Sequence, residues 1–325
     1  MTVFDTPWWL EAAAKDRWEL VRFELDSGHA ASLPVFRGNR YGFQTITMPP
    51  LTRLLGPRFE GKMPSKAETA RRLRQRLLDG VIDRLPPHLA FYQVFPPSDD
   101  DLLAFHFRGF EIAAHYTFRI EECSAPERLW RSMRDKTRNV IRRAEETFVC
   151  ESNADVDAFV EFFFSNLRKR GKAPYLGYTP DVYRRVITAA TEHDAGALLS
   201  ARTASGQLVA GIALVWDAET MYYLLSTRDP DLAEAGAVSL LLWRALQMAG
   251  EKRVAFDFDG FPSANAGRFC AQFGGDLVTR WAVTKAPPLL RSFRELSDSF
   301  NASRKRNEPP LTAALALAVD AVTLP

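Results

Sequence analysis

Residues 221–259 restrict the fold more than any other part of the chain. An apolar, aromatic strand at 221–226 leads into a polar loop at 227–235. A helical run then extends from about Gly236 to Ala249, and a second strand occupies 254–259. Strand, loop, helix and strand at this spacing form a βαβ crossover, which makes the two strands parallel. The rest of the chain must be arranged around that unit.

Before the crossover, helical periodicity covers 156–169 and 180–192, and strands are expected at 197–203 and 208–216. After it come a helix at 263–273 and a last strand at 276–283. The first half alternates similarly. A short helix at 7–14 precedes a strand at 18–25 and broken strands within 33–57. The helix at 66–85 carries Leu73, Leu77, Val81 and Leu85 on one face and is stopped by Pro86-Pro87. Strands are expected at 89–95, 102–107 and 113–120, and one long helix at 126–147. This order predicts an α/β (α+β) protein of two related units, 1–148 and 149–290, followed by a tail, 291–325. A length of 325 residues suits two cores better than one.

A formal charge of +2 gives no global field that would draw the chain onto nucleic acid, so a polyanion has to be held by a local patch. Cys123, Cys150 and Cys270 are odd in number and widely spaced, which excludes a disulfide framework and a structural zinc. Residues 1–9 lack the basic-then-apolar order of a signal peptide, and no run approaches a membrane span. A cytoplasmic protein is expected.

In an open α/β sheet, ligands collect beyond the carboxyl ends of parallel strands, where the crossover helix begins. Here that place holds Arg228 and the run Gly236-Ala237-Val238-Ser239. Small residues let an anion approach, the helix start offers free N–H groups, and Arg228 at the strand exit suits a phosphate. The alternative is an ordinary loop in which Asp229 and Asp231 satisfy Arg228.

Asp257 and Asp259 alternate with Phe256 and Phe258 on the second crossover strand, so the carboxylates share one face. Two carboxylates on a central strand are costly unless they meet a cleft or a partner, and their mutual repulsion raises one pKa towards that of a base. These two are the candidate catalytic groups, and structural pairing with an arginine is the alternative. One of Tyr222 and Tyr223 must share their face, and Tyr223 is the candidate proton donor; core packing is the competing role. Arg134, Arg138 and Arg142 form a stripe suited to phosphates of an acceptor or of RNA, although a solvated helix face explains most such stripes. Lys172 and Tyr175, in the loop joining two helices, are candidates to close over an acceptor. The five histidines are scattered without metal spacing, and no metal is expected.

Three stretches carry a resemblance to a known family. They are Thr137-Arg138-Asn139-Val140-Ile141-Arg142-Arg143-Ala144, Phe256-Asp257-Phe258-Asp259-Gly260, and Arg268-Phe269-Cys270-Ala271-Gln272-Phe273-Gly274-Gly275. With the element order over roughly residues 4–285, they resemble the Fem-like branch of the GNAT N-acyltransferases. The sequence lacks the full Q/R-x-x-G-x-G/A pattern of the GNAT donor loop, of which Gly236-Ala237 would occupy the end. The resemblance implies two tandem GNAT-like units, each a mixed, largely antiparallel sheet flanked by helices, with the acyl-donor site in the second. It also implies an acyl-CoA donor, acetyl-CoA foremost, and an amine acceptor such as an amino sugar on a nucleotide or other carrier in cell-envelope polysaccharide synthesis. The alternatives are an aminoacyl-tRNA donor, as in Fem-type transferases, and a non-catalytic binding module of the same fold. DNA is not an expected partner.

Overall fold

A computed structural model describes residues 1–40, 42–97, 102–153, 155–172, 178–232, 236–261 and 263–287. Its strands form one mixed sheet. In chain order they are β1 (Trp18–Glu24), β2 (Ala30–Arg40), β3 (Phe43–Thr47), β4 (Arg58–Glu60), β5 (Ala90–Phe95) and β6 (Glu111–Ile120), then β7 (Phe148–Asn153), β8 (Gly196–Thr203), β9 (Leu208–Trp216), β10 (Thr220–Arg228), β11 (Ala255–Asp257) and β12 (Asp276–Lys285). They run across the sheet as β1-β2-β3-β5-β12-β6-β11-β10-β9-β8-β7, with β4 added to β2.

Most neighbours are antiparallel, but two pairs are parallel. The expected crossover is present: β10 and β11 are parallel and joined by α8 (Ala237–Lys252). The first half contains its counterpart, in which β3 and β5 are parallel and joined by α2 (Ala67–Ile82). This is a mixed α+β fold consistent with tandem units. The last described strand, β12, lies between β5 and β6 and pairs antiparallel with both, while β6 continues the sheet to β11.

Side-chain alternation assigns the helices to faces. The apolar side of α8 and that of α5 (Asp135–Thr147) cover one face of β8–β11 through Leu241, Leu246, Ile141 and Phe256. At the other end of the sheet, α2 and α3 (Leu102–Phe107) cover Leu33, Phe91 and Val283. The remaining core holds α1 (Pro7–Ala14), α6 (Val156–Lys169) and α7 (Pro180–Glu192) against Tyr92, Val215, Tyr222 and Leu224. β9 is buried along nearly its whole length, as expected of an apolar strand covered on both faces. Local signals set several helix starts. Thr6 caps α1 ahead of Pro7, Asp155 caps α6, and Ser263 caps α9 (Ala264–Ala271).

Three expectations are corrected. Residues 102–107 form α3 rather than a strand, because six mostly apolar residues fit either period. The long helix breaks into α4 (Pro126–Ser132) and α5, with Met133 and Arg134 extended between them. Arg138 bridges the break by donating to the carbonyls of Trp130 (3.3 Å) and Arg131 (3.1 Å). The strand expected at 254–259 ends at Asp257, and Asp259 lies in a left-handed turn at φ 60°. The tail 291–325 lies outside the described residues.

Candidate functional site

The site is built on β10. On one side this strand pairs with β9 as far as Arg228, with a register shift between Tyr223 and Leu225. On the other it pairs with β11 only at Thr220, Met221 and Tyr222. Beyond Tyr222 the two parallel strands part, and among the described residues the β11-side edge of β10 has no strand partner. The carbonyl of Leu224 lies past that parting and accepts a hydrogen bond from Arg53 Nη2 at 2.9 Å.

At the exit of β10, Arg228 is exposed and its carbonyl accepts from Arg170 Nη2 at 2.5 Å. Asp229 and Asp231 do not satisfy Arg228; Lys169 Nζ takes them, at 2.8 and 2.9 Å. Among the described residues Arg228 has no ion pair. Burial lowers the pKa of Arg170, and the like charge of Arg228 adds to that. Two guanidiniums without a carboxylate of their own therefore lie where β10 leads towards α8. Among the described residues no side chain caps α8, so its first N–H groups have anion-binding character. Ala237 and Ser239 are buried and Val238 is half-buried. Gly236 has φ 121°, and a Cβ placed there would lie 3.0 Å from Val140 and 3.1 Å from Ala144 on α5. Glycine is thus required by backbone and packing together.

Asp257 and Asp259 converge as their spacing predicted, but their side chains are almost fully buried. Arg280, on β12, reaches both, with Nη2 2.7 Å from Asp257 and Nη1 2.9 Å from Asp259. Arg53 Nε lies 2.8 Å from the second oxygen of Asp259. Asp257 Oδ1 also accepts from Thr117 Oγ1 at 2.6 Å and from the amide of Asp259 at 2.7 Å. Burial pushes the Asp259 carboxyl up to about 6, against the opposing pull of Arg53 and Arg280. Burial also opposes the charge of Arg280, yet the two carboxylates hold it above its ordinary range. Strand alternation implied a partner or a cleft for these acids, and guanidiniums supply the partner.

Tyr222, not Tyr223, shares the face of Asp257. Tyr222 packs with Phe4 in the core that holds α1, whereas Tyr223 borders the core under α8. Burial raises the pKa of Tyr223. Arg134, Arg138 and Arg142 are not three equivalent free cations. Arg138 staples the α4–α5 break, and Arg142 donates to Asn139 and lies 5.3 Å over the Trp130 ring. Arg134 is exposed. Lys172 is exposed beyond α6, and Tyr175 lies outside the described residues. Sequence reasoning missed Arg53, Arg170 and Arg280. Only Arg280 gave a signal, as a charge within the apolar run of β12. Among the described residues no group of His, Cys, Asp or Glu suits a metal ion, and no helix is long and apolar enough to cross a membrane.

The family described as an acetyltransferase (GNAT) domain matches residues 131–264, which include β10, α8 and β11. No curated protein matches the sequence. The structure is similar to that of FemX, with a TM-score of 0.63 at 12% identity, covering 86% of this chain and 91% of that one. It is also similar to the C-terminal domain of a protein named as a lysylphosphatidylglycerol synthetase from Agrobacterium fabrum, with a TM-score of 0.55 at 14% identity over 86% and 87% of the two chains. A conserved protein of unknown function from Bacteroides thetaiotaomicron gives 0.53 at 10% identity over 80% and 86%. With its mixed sheet, its crossover and its parted central strands, the chain has the fold of the GNAT-superfamily acyltransferases.

Proposed function

We propose that the protein is an N-acyltransferase that takes its acyl group from an acyl-CoA, acetyl-CoA foremost, and delivers it to an amine such as an amino sugar of cell-envelope polysaccharide synthesis. The parting of β10 from β11 past Tyr222, with unpaired Arg228 and Arg170 at its mouth, carries this reading. A donor fits that geometry: the two guanidiniums and the N–H groups of Ala237, Val238 and Ser239 suit phosphates, and the gap suits an extended thioester arm. Once bound, the donor supplies an activated carbonyl. The chain supplies orientation and charge. Arg53, 35% exposed in its side chain, donates to the Leu224 carbonyl beside the parting strands. In this reading Asp257 and Asp259 anchor Arg280 and Arg53 and do not serve as the general base. The units 1–148 and 149–290 divide the work, the second holding the donor.

A specific observation favours a second donor. Arg128, Arg131, Arg134, Lys136 and Arg143, on α4, α5 and the break between them, are exposed and carry no ion pair among the described residues, a surface suited to an aminoacyl-tRNA. The guanidinium-capped aspartates favour the third reading, a binding module without turnover. Thermal melts separate the donors. Acetyl-CoA at a hundredfold excess over its Kd stabilises by about 2.7 kcal/mol in the first reading, and tRNA does not stabilise. A flat melt across millimolar acetyl-CoA with salt-sensitive tRNA binding establishes the second reading. Donor binding without thiol release in the presence of any amine establishes the third.

A further inference from the structure

At the opposite end of β10 from Arg228, a cavity of about 670 Å³ lies between the sheet, residues 1–5 and the loop at 54–59. Its volume is that of a small-molecule site. Asp257 and Tyr222 lie at its floor, each 3% exposed. The hairpin residues Asp217 and Glu219 stand at its side, and Asp5 lies in the wall formed by the chain's first residues.

The charge of this cavity is one-sided. Five carboxylates line it: Asp5, Glu121, Asp217, Glu219 and Asp257. Only two guanidiniums do so, and each is already committed, Arg58 to Asp5 at 2.8 Å and Arg119 to Glu121 at 2.7 Å. Asp217 is occupied by backbone N–H groups of Val3, Glu219 and Thr220. Glu219 has no ion pair among the described residues. An independent observation points to a ligand. Asp5 is 6% exposed, and its Oδ1 is buried without a hydrogen-bond partner, as is the Thr2 hydroxyl beside it. A buried acceptor left unpaired is costly unless a donor reaches it. Leu54, Pro57, Phe59 and Val278 give the same cavity apolar wall, suited to the carbon skeleton of an amine.

We propose that this cavity binds a phosphate-free organic cation carrying a primary ammonium group, and that this cation is the acyl acceptor. The binding stands on the cavity alone; the acceptor role rests on the acyl-transfer reading. The ammonium finds an unpaired carboxylate in Glu219 and a negative field from the other four acids, and the same field disfavours a nucleotide-linked molecule. Asp257 places the ammonium beside the paired segment of β10 and β11, at the base of the gap assigned to the donor.

Titration calorimetry on the full chain tests this with spermidine, glucosamine, glucose and UDP-N-acetylglucosamine. Spermidine or glucosamine binds, more weakly as salt rises, and glucose and the nucleotide sugar do not. Glu219→Gln, at an exposed site without contacts to lose, weakens amine binding about fivefold, and Glu219→Lys weakens it more than tenfold. Arg228→Ala leaves amine binding unchanged. The proposal falls if neither amine binds, if glucose or the nucleotide sugar binds as well as the amines, or if Glu219→Lys has no effect. Acetyl-CoA binding without amine binding overturns the cavity assignment and leaves the acyl-transfer reading intact. Amine binding without any donor does the reverse.

Discussion

The two ends of β10 are opposites. Where the strand begins, Asp217 and Glu219 border an acid-lined cavity; where it ends, Arg228 and Arg170 crowd together without an ion pair among the described residues. Between the ends, Tyr222 is paired to β11 while Leu224 is not. In the proposed reading, a strand with this polarity sorts two ligands by charge, an anion at its exit and a cation at its start, and directs both towards the point where pairing stops. The contrast shows why the buried ion network lies where it does. Arg280, Asp257, Asp259 and Arg53 link β12, the β11 turn and the loop before β4 at the place where the two ligands have to meet.

The largest expected effect comes from breaking that middle. Arg280→Met leaves two buried carboxylates facing each other and costs about 3–5 kcal/mol, read from denaturant midpoints. A loss below about 1 kcal/mol shows that the network does not hold the two ends in place. Next in size, the double change Arg228→Ala and Arg170→Ala removes the basic end. Donor affinity falls by roughly tenfold to a hundredfold while amine binding at the acidic end persists. Equal loss at both ends contradicts the sorting by charge. Gly236→Ala sharpens the basic end further. Positive φ and the contacts to Val140 and Ala144 destabilise the variant by about 1–2 kcal/mol, so any aspartate at this position tests folding as well as phosphate repulsion.

The smallest effect is in pH dependence. The Asp259 carboxyl is raised to about 6 in the folded protein, above its value in the unfolded chain. Its contribution to stability is therefore fully present below about pH 4 and is lost as pH rises through about 6. Subtracting the profile of Asp259→Asn from that of the wild type isolates this slope. A difference of opposite sign means that Arg53 and Arg280 outweigh burial.

The crossover was legible because strand and helix periods alternate cleanly there, and the parallel pairing of β10 with β11 follows from spacing. Arg228 was legible from its position at the strand exit. Arg170 was not, because it arrives from the end of α6, far away in sequence. The aspartates stood out as charges on a buried strand, but their partners lie on β12 and in the loop holding Arg53, which no local pattern connects to them. Of the paired tyrosines, alternation required one to face Asp257, and tertiary packing chose Tyr222. Residues 102–107 fit a strand and a helix equally well as a sequence, and packing against α2 decided the matter.

The placement of β12 also bears on how the protein is made. Phe95 waits for Trp281, and Thr117 for Val278, so the middle of the sheet closes only after nearly all the described chain has left the ribosome. Until then β5 and β6 present bare edges to the cell, and a nascent chain stalled before residue 276 has the features of an aggregation substrate. The pairing of β6 with β11 begins to bridge the two halves, and β12 then fills the gap left between β5 and β6.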